Sequence, residues 1–349
     1  MIKNLPERFV PKNYFYFDTS SINKIVDQLQ EKDLAETQNL WAFKKRVICV
    51  SPINLYEIFQ NKNIKRREHI LYKLGILSYG KSAYFDTPTR ILFGEVLGYL
   101  DNNLTDFEEN IKNAWFDVKR DPKNITINID PEDFAERRII FRIFKKTIRF
   151  IFRNDLMQKD KGELFDLLEQ DPDLIGVCVI KMISTRFSQD FSNKENQIKA
   201  FLVFLIFCFG VEPENSFLEK YWNNKENFNK ENELIRTLNR MMSLLRDYNK
   251  ELLFNNVFIQ LMADYIIYEH TNTKKKIMES TLSDALHLVY SFYVMNFITD
   301  DSTILNFSKN KNLLNKRVLS VESNFYYISS FWQKILNIQL WFIQFFSYR

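Results

Sequence analysis

Hydrophobic positions along the chain follow two different rhythms. Near the start and again near the end, short β-branched and aromatic runs stop at a polar or acidic residue, and a helical pattern follows. Asn13 to Phe17 predicts a strand that ends at Asp18, with helical spacing over 21–29. Arg46 to Val50 predicts a buried strand. Ser51-Pro52 then opens a helix, with Ser as N-cap and Pro at the first helical position, so Glu57 falls in the second turn. Tyr84-Phe85-Asp86-Thr87-Pro88 repeats the pattern of a strand end and a capped helix. From about Gly94 to His270 the apolar positions recur at helical spacing. Asp130-Pro131-Glu132, Asp171-Pro172-Asp173 and Glu212-Pro213-Glu214 mark helix starts there, and Asn223 to Glu233 reads as a loop. Strands then return. Ser283 is expected to cap a helix beginning at Asp284, Val294 to Ile298 is a strand ending in Thr299-Asp300-Asp301, and Arg317 to Val321 is another. Phe331 to Phe346 closes the chain as an aromatic amphipathic helix.

This order predicts an α/β fold, a parallel sheet flanked by helices and interrupted by a mostly α-helical insertion. Residues 10–95 and 275–325 form the two halves of the sheet domain, 96–274 the insertion, and 326–349 the C-terminal helix. With 46% hydrophobic and 26% charged residues in 349, there is ample material for a core. Only 7 Gly and 8 Pro imply long elements and short turns. A net charge of +4 leaves any nucleic-acid affinity to a local patch. Cys49, Cys178 and Cys208 all sit in apolar runs and read as buried thiols of a reducing cytoplasm. Met1-Ile2-Lys3-Asn4 begins no apolar signal region, which agrees with a cytoplasmic location. Ala200 to Val211, the longest apolar run, is too short for a membrane span and fits a buried helix.

The candidate chemistry lies where the two rhythms meet. Asp18, Glu57, Asp284 and Asp301 each stand at a strand end or near a helix start. In a parallel α/β sheet such places gather at one edge, outside the carboxyl ends of the strands. Carboxylates sharing a cleft repel one another unless a cation neutralises them. A hard divalent ion with oxygen ligands suits such a set. Against this stands ordinary turn chemistry, because Asp is common at N-caps and after strands. Asp86, before Thr87-Pro88, competes with Asp18 on pattern and reads mainly as an N-cap. His287, one turn after Asp284, is placed to face the same cleft but reads rather as a surface or semi-buried histidine. No Gly-rich phosphate loop, Cys/His cluster or Ser nucleophile elbow is found.

Taken in order, these motifs resemble the PIN-domain nucleases. A strand ends in Asp18-Thr19-Ser20, Glu57 lies in the helix after the second strand, Asp284-Ala285 stands at a helix start, and a strand ends in Thr299-Asp300-Asp301. The resemblance implies a PIN-like sheet, binding of Mg²⁺ or Mn²⁺, and cleavage of RNA, with members acting as toxins or defence effectors or in RNA processing. It implies Asp18, Glu57, Asp284 and Asp301 as the acidic set. Asp301 is favoured over Asp300 as the ligand, and Thr19, Ser20 and Thr299 are hydroxyls that orient a carboxylate or phosphate. Spacing agrees at both ends, 39 residues from Asp18 to Glu57 and 17 from Asp284 to Asp301, but 227 separate Glu57 from Asp284, several times the usual gap. Related folds also cut DNA and flap structures, and a degenerate member would be a binding scaffold with a protein partner or second copy on the helical insertion.

One further stretch predicts an RNA-backbone contact. Over 137–153, helical spacing gathers Arg138, Arg142, Lys145, Lys146, Arg149 and Arg153 in one arc, with Ile and Phe over most of the rest. No acid interrupts that arc, although Asp and Glu elsewhere in the insertion are available as partners. A solvated face is the plain reading of the arc and RNA phosphates the functional one; a membrane surface is the lesser alternative.

Overall fold

Strand residues alternate between two buried faces, as the pleat requires. Phe15, Phe17, Ile48, Val50 and Ile298 go to one core, while Tyr16, Cys49 and Phe297 go to the other. The structure, a computed structural model, describes residues 13–43, 45–78, 82–85, 87, 91, 106–124, 135–186, 190–210, 230–246, 254, 256–272, 277–278, 280–294, 296–311 and 317–319. The strands are β1 (Tyr14–Phe17), β2 (Val47–Val50), β3 (Ser82–Tyr84), β4 (Asn296–Ile298) and β5 (Arg317–Leu319). All neighbours pair in parallel, in the order β3-β2-β1-β4-β5. The fold is therefore α/β, with the sheet assembled from both ends of the chain. Phe17 is in register with Ile298, so the residues that follow β1 and β4 emerge side by side. The chain runs outward from β1 to β3 and later returns to the other side of β1. That reversal makes the β1–β4 crevice the switch point of the sheet.

Four helices connect the first three strands: α1 (Thr19–Gln28), α2 (Glu31–Phe43), α3 (Pro52–Phe59) and α4 (Ile64–Leu77). Ser51 caps α3 with Pro52 in the first turn, and Ser51 and Asn54 form a reciprocal capping box. Lys73 of α4 fixes the far end of α1, its buried ammonium donating to the Val26 and Leu29 carbonyls at 2.6 and 2.5 Å.

The described elements of the long middle stretch are all helices. It comprises α5 (Asp106–Arg120), α6 (Ala135–Arg153), α7 (Lys161–Gln170), α8 (Ile175–Ser184), α9 (Lys194–Gly210), α10 (Lys230–Arg246) and α11 (Val257–Asn272). The turn at Asp171-Pro172-Asp173 caps a short 3₁₀ segment that leads into α8, and the apolar run from Ala200 lies buried in α9. Contrary to the loop expected over 223–233, α10 already begins at Lys230; Lys-Glu-Asn-Glu suits a helix start. The helices share the cores of the sheet. Ile111, Trp115 and Val118 of α5 join the α1–α4 face, and α6, α8, α9 and α11 join the opposite face with Tyr16, Cys49 and Phe297. Two helices complete the sheet half, α12 (Ser280–Tyr290) and α13 (Ser302–Lys311). No described helix is long and apolar enough to cross a membrane. The three cysteines are buried thiols. Asp86, the helix starts at Asp130 and Glu212, and the C-terminal helix over 326–349 lie outside the described residues.

Close packing of α8 depends on one glycine. A Cβ on Gly176 would fall 2.3 Å from Thr147 Oγ1 and 2.5 Å from Phe201 Cε2, on helices α6 and α9. Gly176→Ala is expected to lower stability by about 1–3 kcal/mol, the scale of overpacking a filled core. Urea unfolding checks this, and an unchanged midpoint would mean that the three helices yield without cost.

Candidate active site

Asp18, Thr299 and Asp301 meet at the β1–β4 switch point. Asp18 is 4% exposed and caps α1, its Oδ1 accepting from the Ser21 amide at 2.8 Å and the Ser20 hydroxyl at 3.0 Å. Its Oδ2 accepts from the Thr299 hydroxyl at 2.5 Å. Thr299 Oγ1 also accepts the Asp301 amide at 3.0 Å, so one hydroxyl joins the two acids. Asp301 caps α13, with Oδ1 accepting the Thr303 and Ile304 amides at 2.6 and 3.0 Å. Turn chemistry thus accounts for the position of both acids without removing them from the crevice. Asp300 points to another partner, the Lys24 ammonium at 2.9 Å.

Glu57 and Asp284 come together from α3 and α12. The expected cap at Ser283 is corrected: α12 begins at Ser280, and the Met278 amide donates to Thr281 Oγ1 at 3.1 Å. Ser283 and Asp284 lie inside the helix, free of capping duty. The Ser283 hydroxyl donates to Glu57 Oε1, and His287 Nε2 lies 3.2 Å from Glu57 Oε2. The expectation of a surface or semi-buried histidine is likewise corrected, because His287 is 2% exposed. Tyr16 Oη stands 2.5 Å from His287 Nδ1 and 2.9 Å from Ser51 Oγ. The Ser51 hydroxyl donates to Asn54 Oδ1 at 3.0 Å. A doubly protonated His287 satisfies the whole chain, donating to Glu57 and to Tyr16 while Tyr16 donates to Ser51. Asn54 then ties this relay to the residues flanking Asp18, donating to the Phe17 carbonyl at 2.9 Å and to Thr19 Oγ1 at 3.3 Å.

The charges agree with this geometry. Burial raises the pKa of Glu57, but the His287 charge and hydrogen bonds from His287, Ser283 and Thr19 outweigh it and hold the carboxyl below its ordinary range. Burial opposes the charge on His287 too, yet Glu57, Asp18 and Asp284 hold it above the ordinary value. Asp284 goes the other way. Burial pushes it up to about 8, reinforced by Asp301, Glu57 and Glu269 and opposed by His287. The buried Tyr265 hydroxyl of α11 is directed to Asp284; burial, then the charges of Asp284, Glu269 and Asp301, keep its proton on. Thr299 thus joins Asp18 to Asp301, and Asp284 is coupled electrostatically to Asp301, Glu57 and Glu269 and to Tyr265 of the helical stretch. Sequence reasoning passed over Tyr16, Asn54, Tyr265, Glu269 and the hydroxyl of Ser283. The only local signals were the four-residue steps Ser283–His287 and Tyr265–Glu269.

The basic arc of α6 is corrected in part. Arg142 Nε lies 2.8 Å from Asp173 Oδ2, and Lys146 Nζ lies 2.7 Å from carboxylate oxygens of both Asp171 and Asp173. Arg149 Nε donates to the Ile277 carbonyl at 3.0 Å. Three of the six cations therefore hold the helical stretch together. Lys145 also has an intramolecular partner, and the Arg138 side chain lies outside the described residues. Arg153 is exposed at the helix end, close to Lys194 and to His270, whose ring stacks on Phe152 at 3.8 Å. Asp173→Asn is expected to cost about 1–3 kcal/mol, since it weakens a mostly buried acceptor of two cations. Thermal unfolding at low and high salt checks it, and an equal midpoint in variant and parent would return the arc to solvent.

Compared with protein-family models, curated proteins and solved structures, the chain finds no match. Among the described residues, no three acidic, histidine or cysteine side chains stand as a ready-made ligand set for a metal ion. The donors nevertheless suit a hard divalent cation in kind. They are carboxylate oxygens, one of them driven towards its neutral form by burial and by its acidic neighbours.

Proposed function

We propose that this protein is a metal-dependent endoribonuclease of PIN-like type, hydrolysing RNA phosphodiester bonds at the β1–β4 crevice. The observation that carries this reading is the junction at the β1–β4 crevice, where the Thr299 hydroxyl joins the Asp18 carboxylate to the Asp301 amide, with Ser283, next to Asp284, on the Glu57 carboxylate. Acidic side chains there suit a positive partner, and carboxyl-end crevices of parallel sheets are where ligands bind. Asp18, Asp284, Asp301 and Glu57 would hold Mg²⁺ or Mn²⁺. Such an ion supplies a water of lowered pKa and neutralises charge building up on a phosphate. The residues themselves prepare the site. Thr299 and Ser20 hold the Asp18 carboxylate, the Thr303 and Ile304 amides hold Asp301, and His287 keeps Glu57 ionised. Burial and its acidic neighbours hold a proton on Asp284, which it would have to release to ligate a cation. Arg153, the exposed end of the α6 arc, and Lys194, whose ammonium donates to the Phe152 carbonyl at 2.9 Å, would offer phosphate contacts beside the Phe152–His270 stack.

Incubation with end-labelled single-stranded RNA and DNA, in Mg²⁺, Mn²⁺ or EDTA, tests the reading. RNA should be cut in either metal and remain intact in EDTA. Cleavage of DNA or flap substrates alone would replace the substrate class, and binding without cleavage would make the chain a scaffold. Cleavage that persists in EDTA would refute the metal dependence.

A further inference from the structure

We propose that His287 is a positioning residue: with Ser283 it clamps the Glu57 carboxylate, and the Tyr16–Ser51 relay behind it fixes the ring. This rests on reading the four acids as the cleaving set. Ser283 and His287 lie four apart on α12 and so project from one face. Between them they engage both oxygens of Glu57, Ser283 on Oε1 and His287 on Oε2 at 3.2 Å. The clamp sets where Glu57 of α3 stands relative to Asp284, the residue immediately after Ser283. His287 cannot swing away, because Nδ1 is held at 2.5 Å by a tyrosine hydroxyl that is itself fully buried. Tyr16 is anchored in turn by Ser51 at 2.9 Å, at the residue that caps the helix bearing Glu57. The relay therefore closes on itself: α3 carries Glu57, its cap holds Tyr16, Tyr16 holds His287, and His287 holds Glu57. Hydrophobic packing alone does not require this. Tyr16 lies among Phe85, Tyr290 and Phe297, where a phenylalanine would pack as well.

Groups that orient ligating side chains from behind typically contribute about 10–100-fold in metal affinity or activity. The test uses two variants that preserve packing, His287→Gln and Tyr16→Phe. Each is measured for kcat and KM on RNA, for Mn²⁺ binding by calorimetry without substrate, and for melting temperature in EDTA. His287→Gln should lower kcat by about 10–100-fold and weaken Mn²⁺, with KM for RNA unchanged. Tyr16→Phe, which never touches Glu57, should shift the same quantities in the same direction by a smaller factor. Parental kcat and Mn²⁺ affinity in both variants would overturn the proposal, as would losses that match the fraction unfolded. A parent protein that neither binds Mn²⁺ nor cuts RNA would overturn the functional reading itself, and the proposal with it.

Discussion

Asp284→Asn is expected to stabilise the metal-free protein by about 2–4 kcal/mol near pH 8, and to lose that advantage below about pH 4. Burial and the Asp301, Glu57 and Glu269 carboxylates push Asp284 up to about 8, from an ordinary 3.8. The folded protein therefore keeps a proton that the unfolded chain has already released. Between about pH 4 and 8 each rise in pH favours unfolding, by up to about 1.4 kcal/mol per unit. The full displacement sets a ceiling of about 6 kcal/mol, which partial exposure and sharing among four acids reduce. His287 adds to the alkaline loss. Its pKa is held above the ordinary 6.5, so its contribution is complete below that pH and disappears as pH rises through the folded value. Glu57, held below its ordinary range, contributes above its unfolded pKa and loses that contribution as pH falls through its folded value. Metal-free stability should therefore peak on the acid side of neutrality. Added Mg²⁺ should flatten the alkaline fall and abolish the gain from Asp284→Asn. Melting curves from pH 4 to 9, with Mg²⁺ and with EDTA, check this; a variant no more stable than the parent at pH 8 would mean that Asp284 is ionised without strain.

Asp18→Asn should lower RNA cleavage by at least about 100-fold, the scale of losing one group that acts on charge at a reacting centre, and leave the fold intact. Asn caps helices nearly as well as Asp. Its amide oxygen can keep the Ser21 and Ser20 hydrogen bonds now made to Oδ1. What disappears is the negative charge beside Thr299 and Asp301, together with the Oδ2 acceptor of the Thr299 hydroxyl. Asp18→Ala separates the two roles, because it also removes the cap, at about 1–2 kcal/mol. Cleavage assays beside melting curves for both variants check this. Full activity in Asp18→Asn would leave Asp18 as a helix cap and nothing more.

The sheet was legible because its strands are short β-branched and aromatic runs closed by polar residues. Asp18 and Asp301 were legible for the same reason, each being the first acid or near it after such a run. Ser51-Pro52 gave the cap of α3 and, through it, the position of Glu57. The start of α12 was misplaced because Ser283-Asp284 looks like an N-cap, while the real first turn is closed by Met278 and Thr281. His287 could be put on the face of Asp284 by spacing alone. Its burial could not, because that depends on Tyr16, 271 positions away in sequence. The α6 arc looked free because helical spacing sees only its own helix, and its acids, Asp171 and Asp173, arrive from the turn before α8. Tyr265 and Glu269 read as part of a buried helix, and only the packing of α11 on α12 brings them to Asp284.

Diffraction from crystals soaked in Mn²⁺, with data at the manganese absorption edge, tests the central claim most directly. An anomalous peak at the β1–β4 crevice is expected, in contact with at least two of the Asp18, Glu57, Asp284 and Asp301 carboxylates at about 2.0–2.6 Å, the range of hard-cation oxygen ligands. No peak there at millimolar Mn²⁺, with Asp18 and Asp301 still engaged only as helix caps, would contradict it.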